Sequence, residues 1–116
     1  MIKFFKGFGF AFAGIWQMLL QERNFKVHVL ALLAVISAGL YFHITTQEWI
    51  NILLVSALVL SLEAINTAIE KLCDMHTKEI HPQIKLIKDV AAGAVLIAAI
   101  FALVIAFLIF TKYLVK

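Results

Sequence analysis

Three polar residues, Glu63, Asn66 and Glu70, interrupt a run that is otherwise apolar enough to lie in a membrane. A charged side chain at the centre of a membrane helix costs about 2.5–3.5 kcal/mol by the lower estimates, so such residues usually mark a functional pathway or site. At the angular spacing of an α-helix, positions 63, 66, 70 and 74 fall within a sector of roughly 80°. The spacing therefore predicts a polar stripe along one helix face, continuing to Asp74.

Carboxylates clustered at a water-accessible membrane edge have the chemistry to bind a hard divalent cation. Mg²⁺ is commonly held by one or two carboxylates together with substrate phosphates, and nearby lysines suit phosphate oxygens. Glu63 lies about two turns deeper than Glu70, where a desolvated carboxylate suits a general base that takes a proton from an alcohol. Metal, phosphate and a carboxylate within the membrane together indicate phosphoryl transfer to a lipid.

The composition predicts the class of protein that must position these groups. The 116-residue chain has 64% hydrophobic residues, 15% charged residues and a mean hydropathy of +1.02, against about 45–50% apolar and 25% charged for soluble domains. We expect an all-α integral membrane protein with a single domain, 1–116. Any active site is then built by membrane helices and their short flanks.

Three segments, about 27–42, 49–69 and 90–110, approach the ~20 apolar residues that a bilayer core requires. The segment at about 3–22 differs, because Lys3 and Lys6 precede a run of Phe, Gly and Ala. We interpret it as an amphipathic helix at the membrane surface. A secretory signal peptide is the rival interpretation, although no small-residue cleavage site precedes Gln21.

The distribution of basic residues predicts the topology. The loop around 43–48 has no Lys or Arg, whereas Lys112 and Lys116 follow the third span. Basic residues otherwise precede the first span or separate the second from the third: Lys3, Lys6, Arg23, Lys26, Lys71, Lys78, Lys85 and Lys88. The positive-inside rule therefore assigns the N-terminus and the 71–89 loop to the cytoplasm. Topology also explains the net charge of +3, so no nucleic-acid partner is expected.

Two other classes of function compete with a kinase. A proton-coupled membrane transporter would use Glu63 but would leave Asn66, Glu70 and the Lys88-Asp89 pair without a task. A purely structural membrane subunit would explain none of the polar stripe. The nucleotide-binding loop of soluble kinases is missing, since Gly7 and Gly9 lie in an apolar helix without a preceding strand.

Two motifs together resemble the bacterial integral-membrane diacylglycerol kinases, the family that also contains undecaprenol kinases. The first is Glu-Ala-Ile-Asn-Thr-Ala-Ile-Glu at 63–70, followed by Asp74, and the second is Lys-Asp-Val-Ala-Ala-Gly at 88–93. Glu-Arg-Asn-Phe at 22–25, with His28 three residues on, is more similar to the undecaprenol kinase branch. The resemblance extends over nearly the whole chain.

The resemblance implies a homotrimer in the bacterial inner membrane, with MgATP as phosphoryl donor and a membrane lipid alcohol as acceptor. Glu63 would then be the catalytic base, and Glu22 with Glu70 would hold Mg²⁺ on the ATP phosphates. The remaining residues implied to contact the nucleotide or its phosphates are Lys3, Phe10, Asn66, Glu79, His81, Lys88 and Asp89.

Some positions depart from the family pattern or have an ordinary structural explanation. Ala13 stands where relatives often carry a basic residue, so a contact made there by relatives is absent or displaced. Phe10 stands where some relatives have a polar aromatic ring or His, which leaves adenine stacking possible but removes a hydrogen bond. His28 is more often a structural residue than a ligand, and the spacing of the histidines does not form a zinc site. Cys73 is the single cysteine, so an intramolecular disulfide is not expected.

Overall fold

The protein is described by a computed structural model covering residues 1–115, and Lys116 lies outside the described residues. Four α-helices account for nearly all of this part: α1 (Ile2–Gln21), α2 (Arg23–Phe42), α3 (Thr46–His76) and α4 (Pro82–Leu114). The last three are long and apolar enough to cross a membrane. The sequence prediction of an all-helical membrane protein with three apolar helices is therefore confirmed.

The polar ends of the helices follow from local capping chemistry. Glu22 adopts an extended conformation, with φ −99° and ψ 112°, and separates α1 from α2. His43 ends α2 in the left-handed region at φ 53°. Thr45 begins α3 in a capping box, in which its hydroxyl accepts the Glu48 N–H and its own N–H donates to the Glu48 carboxylate. The α1–α2 and α2–α3 junctions therefore each contain a residue that ends one helix or starts the next.

The structure corrects the expected boundaries at the end of the bundle that carries the loop 77–81. The 71–89 segment is not a loop throughout, because α3 continues to His76 and α4 already begins at Pro82. Proline suits the first turn of a helix, and the ring Nδ1 of His81 accepts the Gln83 N–H there. Ion pairs along and between the two helices accompany their extension beyond the apolar spans.

The main apolar cluster lies at the opposite end, near the turn 43–45. Ile44, Ile52 and Ile109 are buried there. Gly39 permits close approach of α2 and α3, since a Cβ at this position would lie 2.6 Å from Cη2 of Trp49. Half-buried side chains complete the cluster: Val35, Phe42, Trp49, Ile105, Phe110 and Tyr113. We call this region the packed end.

Glu48 ties α3 to α4 at the packed end. Its side chain is buried and accepts hydrogen bonds from Lys112 Nζ and Tyr113 Oη, both at 2.5 Å, in addition to the Thr45 N–H at 2.9 Å. These three donors hold the pKa of Glu48 at about 2, well below its usual value. Lys112, which runs against the positive-inside pattern, is thus neutralised locally.

The rest of the surface is largely apolar. The most extensive helix packing is between α3 and α4, followed by α2 with α3, whereas α1 mainly contacts α2. No residue of α1 is buried, and large side chains such as Phe10, Leu30 and Phe101 are exposed along the helices. An apolar exterior of this kind requires a hydrocarbon environment or further protein to cover it.

Candidate active site

Glu63 is the centre of the candidate site. It lies on α3 with an exposed fraction of only 4%, within the apolar part of the three long helices. The nearest basic group is the imidazole of His28 on α2, whose Nε2 is 3.5 Å from Glu63 Oε2. The side chain of Asn66 also lies within hydrogen-bonding reach of the Glu63 carboxylate. A carboxylate this buried and this sparsely paired is expensive to maintain, which is typical of a functional group.

Asn66 is one turn further along the same face and is equally buried, at 4% exposed. Its Nδ2 donates to Glu70 Oε1 at 3.2 Å. Its Oδ1 is buried and has no hydrogen-bond partner among residues 1–115. An unsatisfied buried acceptor costs about 1–3 kcal/mol, so this oxygen needs a donor from outside the described protomer, such as a ligand, water or another chain.

Glu70 is half-buried at the edge of this site. The next residue, Lys71, places its Nζ 3.4 Å from Glu22 Oε1, which brings the α1–α2 junction against α3. The structure therefore gathers the two carboxylates expected to hold a metal, Glu22 and Glu70, around the same turn of α3. Among residues 1–115, the ion-pair partner of Glu22 is Lys71 on another helix and not Lys26, four residues along the chain.

The stripe continues to a charged bridge between α3 and α4. Lys88 Nζ lies 2.5 Å from Asp74 Oδ1. This contact lowers the pKa of Asp74 and raises that of Lys88, because each charge stabilises the other. Both residues lie beyond the expected spans, where water screens the pair. One turn earlier on α4, Lys85 reaches Asp89 at 2.7 Å. The predicted Lys88-Asp89 motif thus faces the end of the polar stripe, already paired with oppositely charged side chains.

The remaining predicted site residues lie further from Glu63. Glu79 and His81 are exposed in the loop 77–81, where Thr77 Oγ1 accepts the Glu79 N–H. Lys3 and Phe10 are exposed on α1, and no polar contact among the described residues joins them to α3. The predicted site residues on α2, α3 and α4 therefore form one connected group. In the described chain, the loop residues Glu79 and His81 and the α1 residues Lys3 and Phe10 lie apart from that group.

An apolar groove lies between α2, α3 and α4 beside Glu63. Its volume is about 230 Å³, and His28 is the one titratable residue on its wall within the described chain. Val59 and Leu60 line it one turn before Glu63, and Ile52 lines it deeper in the bundle. The groove thus runs from the level of the buried carboxylate towards the packed end. Its mostly apolar lining suits a hydrocarbon chain.

The sequence interpretation missed the partners supplied by other helices. His28 was treated as structural, yet it contacts Glu63. The sequence gives no signal for this contact beyond the helical face that His28 shares with Phe25, three residues earlier, and Leu32, four residues later. Phe25 is buried and Leu32 lines the groove. This face of α2 therefore turns towards the protein.

The donor set fits a metal bound jointly with phosphates, and does not form a closed metal cage. In residues 1–115 no group of three or more His, Cys, Asp or Glu side chains converges on one point. Mg²⁺ needs no more than one or two carboxylates when phosphates and water complete its shell. Glu22 and Glu70 provide that number, with Lys71 beside them to contact phosphate.

Three long apolar helices around a buried carboxylate define an integral membrane protein. Comparison with known sequences narrows this class. The chain belongs to the prokaryotic diacylglycerol kinase family, whose sequence profile matches residues 9–110.

Characterised relatives carry two different names. An undecaprenol kinase of Bacillus subtilis is 43% identical over 93% of this chain and 88% of its own length. A diacylglycerol kinase of Synechocystis is 38% identical over 84% of this chain, which spans 57% of that relative. A diacylglycerol kinase of Helicobacter pylori is 33% identical over 85% of this chain and 77% of its own length.

The family and these relatives place the chain among the lipid kinases. They confirm the resemblance drawn from the motifs at 63–70 and 88–93. They give no support to the proton-coupled transporter.

Proposed function

We propose that this protein transfers the γ-phosphoryl group of MgATP to the hydroxyl of a membrane lipid alcohol, either undecaprenol or diacylglycerol. The observation that carries the proposal is the position of Glu63. It is buried within the apolar helices on the same face as Asn66 and Glu70, which lead to the charged end of the bundle. One helix face thereby joins a lipid-accessible carboxylate to groups suited to a phosphate donor.

Glu63 acts as the general base in this proposal. The lipid hydroxyl oxygen attacks the γ-phosphorus in line, its O–H bond breaks, and the proton passes to Glu63 as ADP leaves. A carboxylate with no strong donor on it is available to accept that proton, and the His28 contact at 3.5 Å leaves it so. The adjacent apolar groove supports a long hydrocarbon chain as the remainder of the acceptor.

In this proposal the phosphates of the phosphoryl donor, MgATP, are bound and oriented by three residues: Asn66, Glu22 and Glu70. The buried Oδ1 of Asn66 is an acceptor awaiting a donor, and the Nδ2 of the same side chain fixes Glu70. Glu22 and Glu70 would hold Mg²⁺, which when bound offsets the charge of the ATP phosphates. Lys71 keeps Glu22 against α3. These residues therefore place the phosphates beside, and not within, the apolar part of the bundle.

The nucleotide would lie over the end of the bundle that carries the loop 77–81. Lys88 and Asp89 lie on α4 at that end, and Glu79 and His81 lie in the loop. Lys88 and Asp89 are held by Asp74 and Lys85. Partners of opposite charge keep these side chains ordered, although exposed pairs add little stability. Lys3 and Phe10 would join this region through movement of α1 or from a neighbouring protomer.

We further propose that the active assembly is a homotrimer in the bacterial inner membrane, with the N-terminus and the 71–89 segment in the cytoplasm. The basic residues concentrated at that end support the orientation. The apolar exterior of the helices and the separation of Lys3 and Phe10 from α3 support an assembly of several chains. The exposure of α1, with lysines at its start, supports a location on the membrane surface.

The experiment that tests the function uses purified protein in detergent with ATP labelled in the γ-phosphate. A kinase moves the label into the lipid fraction, whereas a transporter or structural subunit leaves it in the aqueous phase. Undecaprenol and diacylglycerol are supplied in parallel. We expect the faster reaction with undecaprenol, because the Glu-Arg-Asn-Phe sequence at 22–25 and the 43% identical relative both favour it. Absence of labelled lipid with both acceptors would refute the proposal.

A further inference from the structure

His28 has no task in the functions proposed above, although it is the residue from another helix that reaches Glu63. Its Nε2 lies 3.5 Å from Glu63 Oε2. Its side chain is 24% exposed, against 5% for that of Glu63. The exposed part of the imidazole borders the apolar groove. One ring edge therefore faces the carboxylate, and another faces the space beside it.

The helix face that carries His28 turns towards α3. Phe25, three residues earlier on α2, is buried with an exposed fraction of 6%. Leu32 and Val35, further along the same face, line the groove between the helices. His28 is therefore placed by the packing of α2, and its imidazole can restrict the orientation of the carboxylate beside it.

We propose that His28 is a positioning residue for the base: it holds Oε2 of Glu63 and thereby directs Oε1 at the hydroxyl of the lipid alcohol. The inference rests on the proposed function of Glu63. The imidazole Nε2 lies beside Oε2, at 3.5 Å, and no proton leaves His28 during the reaction. The proton released by the alcohol forms its new bond with Oε1, the oxygen that the His28 contact does not involve.

The rival explanation is that His28 only fills space between α2 and α3. The two explanations differ in what they predict for kinetics. A space-filling residue affects folding and every kinetic constant through loss of active protein. A residue that directs the carboxylate affects kcat, because misplacing a reacting group by about 1 Å costs on the order of 10²-fold in rate. It leaves the KM for ATP unchanged, because the donor contacts other residues.

The test compares His28→Ala with His28→Gln, whose side-chain amide keeps a donor near Glu63. His76→Gln is the matched control, since His76 is exposed at the end of α3. For His28→Ala we expect kcat to fall by between about 10- and 100-fold, with KM for ATP within about twofold of the wild type. His28→Gln recovers at least part of the loss, and the control retains wild-type constants.

A second comparison shows whether His28 acts through Glu63. Glu63→Asp retains a carboxylate but withdraws it from His28, so adding His28→Ala to this variant costs much less than it costs in the wild type. The inference is overturned if His28→Ala has wild-type kcat, if His28→Gln is as slow as His28→Ala, or if the two losses multiply in the double variant. Failure of the proposed function itself appears differently, as a wild-type protein that transfers no label to lipid.

Discussion

Two glutamates on α3, Glu48 and Glu63, are almost equally buried, at 6% and 4% exposed, yet their surroundings differ sharply. Glu48 accepts from Lys112, Tyr113 and the Thr45 N–H at 2.5 to 2.9 Å. Glu63 has an ion pair with His28 at 3.5 Å and the side chain of Asn66 beside it. At the packed end, protein groups satisfy the hydrogen-bonding capacity of the Glu48 carboxylate. Around Glu63, the carboxylate has few protein partners and can interact with another group.

The same contrast extends to the neighbours of each residue. Glu48 lies among Ile52, Ile109 and aromatic rings that fill the packed end. Glu63 lies beside an open groove and near Asn66 Oδ1, a buried acceptor without a partner in the described chain. Buried polar groups in folded proteins are nearly always satisfied. The exceptions around Glu63 therefore distinguish this region from the packed end, and they fit the ligand site that we propose there.

The largest expected effect is on turnover in Glu63→Gln. The amide cannot accept the proton of the alcohol, so phosphoryl transfer should fall by about 10²- to 10⁴-fold, the usual contribution of a general base. The variant should fold and bind nucleotide as the wild type does, because glutamine keeps the size of the side chain and the His28 ion pair is the one salt bridge of residues 1–115 that is lost. Transfer of labelled phosphate and nucleotide titration measure the two properties. A wild-type rate would refute the assignment of Glu63 as the base.

Glu70→Gln should change only the binding of Mg²⁺ and the ATP phosphates. Removing a metal ligand should raise the Mg²⁺ concentration needed for half-maximal activity by at least about 10-fold, a loss seen even for groups that only support a ligand. The matched control is Glu48→Gln, which removes a buried carboxylate from the packed end and should leave the Mg²⁺ titration unchanged. An unaltered titration for Glu70→Gln would remove Glu70 from the metal site.

Gly39→Ala should reveal the tight packing at the opposite end. The added Cβ would lie 2.6 Å from Trp49 Cη2, so α2 and α3 must separate or Trp49 must move, at a cost of about 1–3 kcal/mol in stability. Gly14→Ala is the control, because nothing lies within 4 Å of the position that its Cβ would occupy. Thermal unfolding in detergent compares the two. Equal midpoints would show that the packed end tolerates added volume.

A smaller effect is expected from acid. Because the folded-state pKa of Glu48 is about 2, below the usual 4.5, its ionised form stabilises the fold above about pH 4.5, and this stability is lost as the pH falls towards 2. Asp74 contributes in the same direction. The midpoint of thermal unfolding should therefore decline across this range, and the decline should be smaller in Glu48→Gln. Parallel profiles for the two proteins would contradict the role given to Glu48.

The sequence predicted those parts of the site that depend on spacing along one helix. Glu63, Asn66 and Glu70 lie on one face because the helical repeat places them there, and the structure adds the Asn66–Glu70 hydrogen bond at four residues' separation. The three apolar helices were equally predictable from hydropathy. The local sequence pattern is enough to predict which residues share a helix face and which segments form apolar helices, and tertiary packing does not change either.

Contacts between helices were harder to predict from the sequence. The pairing of His28 with Glu63 depends on how far α2 slides along α3, which no short-range pattern records. The extension of α3 and α4 beyond the apolar spans was missed because the charged segment 71–89 resembles a loop in composition. Ion pairs such as Lys88–Asp74 accompany that extension, and they require both helices to be in place first.

The most direct test of the contrast between the two glutamates measures phosphate transfer to lipid per folded molecule in Glu63→Gln and Glu48→Gln side by side. We expect Glu63→Gln to be folded and almost inactive. Glu48→Gln should be less stable to heat but close to the wild type in turnover at a temperature where it remains folded. Loss of turnover in Glu48→Gln together with retained turnover in Glu63→Gln would contradict the central claim, because the satisfied carboxylate would then be the catalytic one.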